Sequence, residues 1–174
     1  MIDFLNINYL QVGNERQKLA FISLTNHQIF EKLKDFDPIL TGTIPINIDI
    51  PSSDLDIICF YHNKVDFIGR VIENFGKEKD FQLRNTIIND NETVVANFWI
   101  DEFEIELFGQ NIPTIEQNAF KHMIIEHQIL TKMGEDFRLK IIELKKDGYK
   151  TEPAFGLLLG LKGNVYEELL DYKL

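Results

Sequence analysis

Residues 54–61, Asp-Leu-Asp-Ile-Ile-Cys-Phe-Tyr, set two carboxylates one residue apart at the head of an apolar run. A run so rich in β-branched and aromatic residues predicts a buried strand. Alternate side chains of a strand share a face, so Asp54 and Asp56 point the same way. Like charges held that close repel each other, and folding alone gives no reason to begin a core strand with them. A divalent cation would give one.

The chain has 174 residues, enough for one domain with a proper core. Residues 1–174 are expected to form that domain, with an α/β core over 1–111 and a helical part over 112–174 packed on it. The composition, 44% hydrophobic and 26% charged, is that of a globular protein. No run of about 18 apolar residues predicts a membrane span. The first residues, Met1-Ile2-Asp3-Phe4-Leu5, carry an acid where a signal peptide needs basic residues. Cys59 is the one cysteine, so it has no internal disulfide partner and reads as a buried structural thiol. These features lead to the expectation of a cytoplasmic protein. The net charge of −10, with Lys145-Lys146 the densest basic pair near a helix end, disfavours a polynucleotide substrate.

Taken in order, residues 3–11 read as an N-terminal arm. Residues 15–34 read as one long helix or two short ones, with Thr25 or Asn26 as a cap, stopped before Pro38. Ile39 and Leu40 lead into a turn at Gly42-Thr43, and Pro45 and Pro51 exclude a continuous helix over 44–53. Residues 64–77 repeat apolar residues at three- and four-residue steps, which predicts a helix ending at Gly76. Residues 81–88, 93–100 and 103–108 read as three strands of an antiparallel meander, the first pair turning at 89–92. Beyond Pro113 the pattern is helical: one helix from about Thr114 to Gly134, another over 135–146, and 153–161 and 164–172 as two short helices or as one broken at Gly163.

In the third meander strand Glu104 and Glu106 share one face, and Phe103, Ile105 and Leu107 the other. Gln110, Gln117, Lys121, His122 and Glu126 lie in or just before the helix that follows. They read equally as the lining of a cleft or as a solvated helix face. The spacing His122-x-x-x-Glu126-His127 is not that of a zinc protease. The sequence has no Gly-rich phosphate loop ending in Gly-Lys, no Gly-x-Ser-x-Gly elbow and no Cys/His pair placed for a thiol nucleophile.

Gly42-Thr43 followed by Ser53-Asp54-Leu55-Asp56-Ile57 resembles the nucleotidyltransferase superfamily with the DNA polymerase β-like fold. That superfamily pairs a small-residue turn with Asp-x-Asp on a strand and takes a third carboxylate from a later strand. More narrowly, Gly-Thr-x-Pro-Ile, Ser-Asp-Leu-Asp-Ile, Phe-Gly-Gln and Lys-Thr-Glu-Pro-Ala-Phe resemble a bacterial domain-of-unknown-function group within it (DUF4269). The resemblance implies an α/β (α+β) fold with a mixed or antiparallel sheet flanked by helices, plus a C-terminal helical region.

It also implies transfer of a nucleoside monophosphate from an NTP to a small-molecule or protein acceptor. Asp54, Asp56 and Glu106 take the catalytic and metal-ligand roles, with Glu104 the fallback for Glu106. Hard carboxylate oxygens suit Mg²⁺ or Mn²⁺. Gly42, Thr43 and Ser53 fall to nucleotide binding, and Lys150 and Arg84 are the basic candidates for phosphate or acceptor. The alternatives are a non-catalytic binding module, to which the lack of any basic residue in 44–53 points, and the nucleotidyltransferase half of a toxin–antitoxin or phage-defence pair.

Overall fold

The alternating strands dictate a two-faced sheet. On β2 (Leu55–Phe60), Leu55, Ile57 and Cys59 are buried on one face, and on β5 (Phe103–Gln110) Phe103, Ile105 and Leu107 match them. The opposite face carries Asp56 and Glu106. The computed structural model, which describes residues 2–174, completes the sheet with β1 (Ile39–Thr41), β3 (Lys79–Ile88) and β4 (Asn91–Ile100) in the order β1-β2-β5-β4-β3. β2 and β5 run parallel, and the other neighbouring pairs run antiparallel. The fold is thus a mixed α/β one in which the meander expected from the sequence docks β5, its last strand, beside the Asp-x-Asp strand.

The apolar face is covered by α1 (Glu15–Asn26), α2 (Ile29–Lys32) and α3 (Lys64–Phe75). α3 is strongly amphipathic and buries Phe67, Val71 and Phe75, the last stacked on Phe98 with ring centroids 4.9 Å apart. A second core forms among α4 (Asn118–Met133), α5 (Glu135–Lys146), α6 (Thr151–Leu159) and α7 (Val165–Leu170), around Met123, Ile129, Phe137, Ile141 and Phe155. The segment 44–53 joins the two: Ile44 belongs to the first core, Ile46 and Ile48 to the second. No helix among the described residues is long and apolar enough to cross a membrane.

Several local expectations change. Neither Thr25 nor Asn26 caps a helix; α1 starts at a capping box in which Asn14 accepts from the Gln17 backbone and Gln17 accepts from the Asn14 backbone. The chain then turns at Gln28, whose φ is 54°, into α2. Thr114 begins a 3-10 turn rather than α4, because its hydroxyl is used on Asp37, 2.8 Å away. Gly160, at φ 72°, breaks α6 from α7, and Asn164 caps the latter. Residues 8–12 are not a loose arm but a 3-10 helix that buries Leu10.

On β5, Gly109 lies against Phe67, and a Cβ there would run into the aromatic ring. Gly109→Ala is therefore expected to destabilise the fold by about 1–3 kcal/mol, the usual cost of overpacking a full core. Urea unfolding should show this as a lower midpoint with an unchanged slope.

Candidate functional site

Asp56 stands directly opposite Glu106 in the β2–β5 register, and Thr41 opposite Asp56 on the other side. Neighbouring strands lie about 4.8 Å apart, so the two carboxylates are side by side on the polar face. Asp54, just ahead of β2, joins them in lining a cavity of about 1070 Å³ between the sheet and the C-terminal helices. Gly42, Thr43 and Ser53 line it too. Gly42 has φ +80°, and a Cβ on it would collide with the Asp56 carboxylate, so glycine is required there both by conformation and by space. The Thr43 and Ser53 hydroxyl oxygens are 3.2 Å apart, and Ser53 accepts from the Ile50 N–H.

The electrostatics are those of a site short of positive charge. Burial, then the Asp54 and Glu106 charges, push the Asp56 carboxyl well above the usual carboxylate range. Among the described residues neither Asp54 nor Asp56 has an ion-pair partner, whereas Glu106 accepts from Asn97 at 3.2 Å and has the Arg84 guanidinium 3.8 Å away. Three adjacent carboxylates with oxygens for donors and no side-chain counter-ion on two of them fit a hard divalent cation by chemistry. Their oxygens do not close up: no group of three His, Cys, Asp or Glu side chains among the described residues is gathered as a ready cation site.

The helical wall supplies Gln117, His122 and Glu126 around α4, and Glu152 from α6. Gln110 also lines the cavity from β5, while Lys121 points away and is exposed. Of the two basic candidates, Arg84 is exposed and reaches Asn97 and the outer side of Glu106. Lys150 stands exposed at the start of α6 and does not line the cavity. Glu104, on the same face as Glu106, lies outside the cavity.

The cation that does line it is Lys145, which the sequence reading passed over as half of a basic pair at a helix end. It is buried, continues the stripe Phe137, Ile141 on α5, and donates to the Ile48 carbonyl at 3.0 Å. Burial lowers its pKa to about 8, against the pull of Glu126, Asp49 and Asp56. The signal was available: a lysine four residues past two apolar residues spaced by four is on the inward face of its helix. The tip of the β3–β4 hairpin was also missed; Asn89 and Asp90, both at positive φ, bring the turn to the cavity rim.

Glu126 is 4% exposed, and burial, with Glu152 adding to it, holds its carboxyl well above the usual range. An acid protonated in the fold but ionised in the unfolded chain lowers stability as pH rises between the two pKa values. Glu126→Gln removes that loss. The variant should gain stability relative to wild type as pH rises above about 5, by up to about 1.4 kcal/mol per pH unit. Urea midpoints at several pH values check this.

Among solved structures, one chain of the GLD-2/RNP-8 complex matches with TM-score 0.52 and 14% identity, over 87% of this chain and 57% of that one. The Cid1 poly(U) polymerase with MgGTP bound matches with TM-score 0.54 and 10% identity, over 74% of this chain and 41% of that one. Its form with Mg 3′-dATP bound matches with TM-score 0.54 and 12% identity, over 90% and 48%. The chain thus spans roughly half the length of these structures, and shares with them the nucleotidyltransferase fold. No curated protein matches the sequence. The family model described as "Domain of unknown function (DUF4269)" matches residues 22–172, and the chain belongs to that family.

Proposed function

We propose that the chain is a metal-dependent nucleotidyltransferase that moves a nucleoside monophosphate from an NTP to the hydroxyl of an acceptor and releases pyrophosphate. The observation that carries this reading is Asp56 paired with Glu106 across β2 and β5, with Asp54 and the Gly42-Thr43 turn on the same cavity. The fold shared with the Cid1 poly(U) polymerase, whose structures hold MgGTP and Mg 3′-dATP, supports it.

Asp54, Asp56 and Glu106 would hold Mg²⁺ or Mn²⁺. Bound there, the ion neutralises phosphate charge and acidifies a hydroxyl. The chain's own residues do the rest. Gly42 lets the turn pass tight against the Asp56 carboxylate, and the Ser53 hydroxyl, which accepts from Thr43 and from the Ile50 N–H, keeps its own hydrogen for a phosphate oxygen. Lys145 brings the positive charge that residues 44–53 lack; with one hydrogen bond made to Ile48, its ammonium keeps two donors for phosphate oxygens. The acceptor oxygen attacks the α-phosphorus, the bond to pyrophosphate breaks, and the hydroxyl proton passes to Glu106.

A binding module without turnover is the second reading. Arg84 beside Glu106 favours it, since that guanidinium already partly neutralises the third carboxylate. Thermal unfolding with each of the four NTPs, with and without Mg²⁺, separates the two. One NTP at about 100 times its Kd should raise Tm by about 5–10 °C, only with the metal, and not in Asp56→Asn. A metal-independent shift that survives in Asp56→Asn selects the binding module. No shift with any NTP overturns both.

A further inference from the structure

The helical wall of the cavity buries two acceptors, one on Gln117 and one on Glu126, that nothing in the fold satisfies. Gln117 is 2% exposed and spends its amide N–H groups on the Cys59 and Ile112 carbonyls, at 3.0 and 2.9 Å. Its Oε1 is buried without a partner, as is Oε1 of Glu126. His122, 7% exposed, places Nε2 2.8 Å from the Tyr166 carbonyl. A carbonyl only accepts, so Nε2 carries a hydrogen. Its Nδ1 faces Glu152 Oε1 across 3.8 Å. Leaving buried acceptors unpaired costs about 1–3 kcal/mol each, and a ligand rich in donors would recover it.

Charge narrows the ligand. The same wall carries Glu116, Glu152 and Glu167, together with Glu126, which is protonated in the empty cavity and gives up its proton beside a bound ammonium, while Lys145 is the only lysine or arginine lining the cavity among the described residues. A nucleobase offers donors but no charge. An ammonium offers three donors and a positive charge. We propose that this wall is the acceptor subsite and that it takes a small amine-bearing alcohol, its ammonium between Glu126 and the His122–Glu152 pair and its hydroxyl toward Glu106. This rests on the nucleotidyl-transfer reading. The balance is that of the reaction above: the acceptor's oxygen–phosphorus bond forms, pyrophosphate leaves, and the amine is unchanged.

The test is calorimetric titration of the metal-free full chain with ethanolamine and glucosamine, each against its uncharged counterpart, ethylene glycol and glucose. At least one amine should bind ten or more times more tightly than its counterpart. Glu152→Gln, at a half-buried position where glutamine keeps the shape, should weaken that binding at least tenfold, and Glu126→Gln likewise. The Asp54→Asn, Asp56→Asn double variant should still bind the amine, because this wall is separate from those carboxylates. Amine binding in that variant supports the subsite even where no NTP is used, so the two readings can fail separately. The inference is overturned by no binding of either amine, by equal binding of amine and counterpart, or by amine binding unchanged in Glu152→Gln. It is also overturned if Glu126→Gln and Glu152→Gln leave amine binding alone and instead change which NTP stabilises the chain, because the wall would then read the base.

Discussion

The parallel pairing of β2 with β5 is the constraint on which the site depends. It is the one parallel pair among the described strands, and it joins residues 50 apart in sequence, Asp56 to Glu106. Its register is enforced from the other face, where Leu55, Ile57 and Cys59 sit beside Ile105, Leu107 and Gly109. A slip by one residue would turn Glu106 into the core and Leu107 toward the cavity. The hydrophobic effect thus sets the position of the charged groups: burial of one face fixes which carboxylates must share the other, despite their repulsion.

The segment between the glycine turn and Asp54 has a different problem. It is irregular, and although the Thr43, Ile44 and Ile50 carbonyls accept from backbone N–H groups, others need partners from elsewhere. Side chains from two helices supply them. Gln17 donates to Ile44 and Pro45, Arg16 to Pro51 and Ser53, Arg138 to Asn47 and Lys145 to Ile48. Arg16 also lies 3.4 Å from Asp49. The segment's missing basic residue is therefore matched by cations arriving from α1 and α5. One of them, Lys145, reaches the cavity because holding Ile48 draws it inward.

These facts explain what was legible in the residues and what was not. Period-2 alternation over 103–108 and the apolar run after Asp56 report burial directly, so the strands and the acid-bearing faces could be read. The glycine turn and Asp-x-Asp carried the family resemblance, and with it the expected fold. That Glu106 rather than Glu104 stands opposite Asp56 follows from the β2–β5 register, a contact between distant segments that no local pattern encodes. Lys145 was hidden for a similar reason: its basic neighbour Lys146 makes the pair look like an ordinary charged helix end, and only the stripe Phe137, Ile141 points it inward. Arg84 and Lys150 were chosen by residue type near a motif, and neither lines the cavity. Caps failed where a hydroxyl was engaged elsewhere, as Thr114 is by Asp37.

The distribution of unfavourable terms is itself informative. The first core is closed and apolar, with Phe75 on Phe98 and Phe36 against Phe67. The costs gather on the other side of the sheet: Asp56 half-buried beside two like charges, Glu126 buried with an unpartnered oxygen, Lys145 held in a site that disfavours its charge. Side chains selected for stability alone would replace these by apolar residues of the same size, since an incompletely paired buried polar group is worse than a well-packed methyl. Local consistency of a sequence with its fold tends to break where a site is built. Here the break has two parts, carboxylates on the strands and unpaired acceptors on the helices. They face one cavity, the arrangement expected of two reactants brought together between two cores.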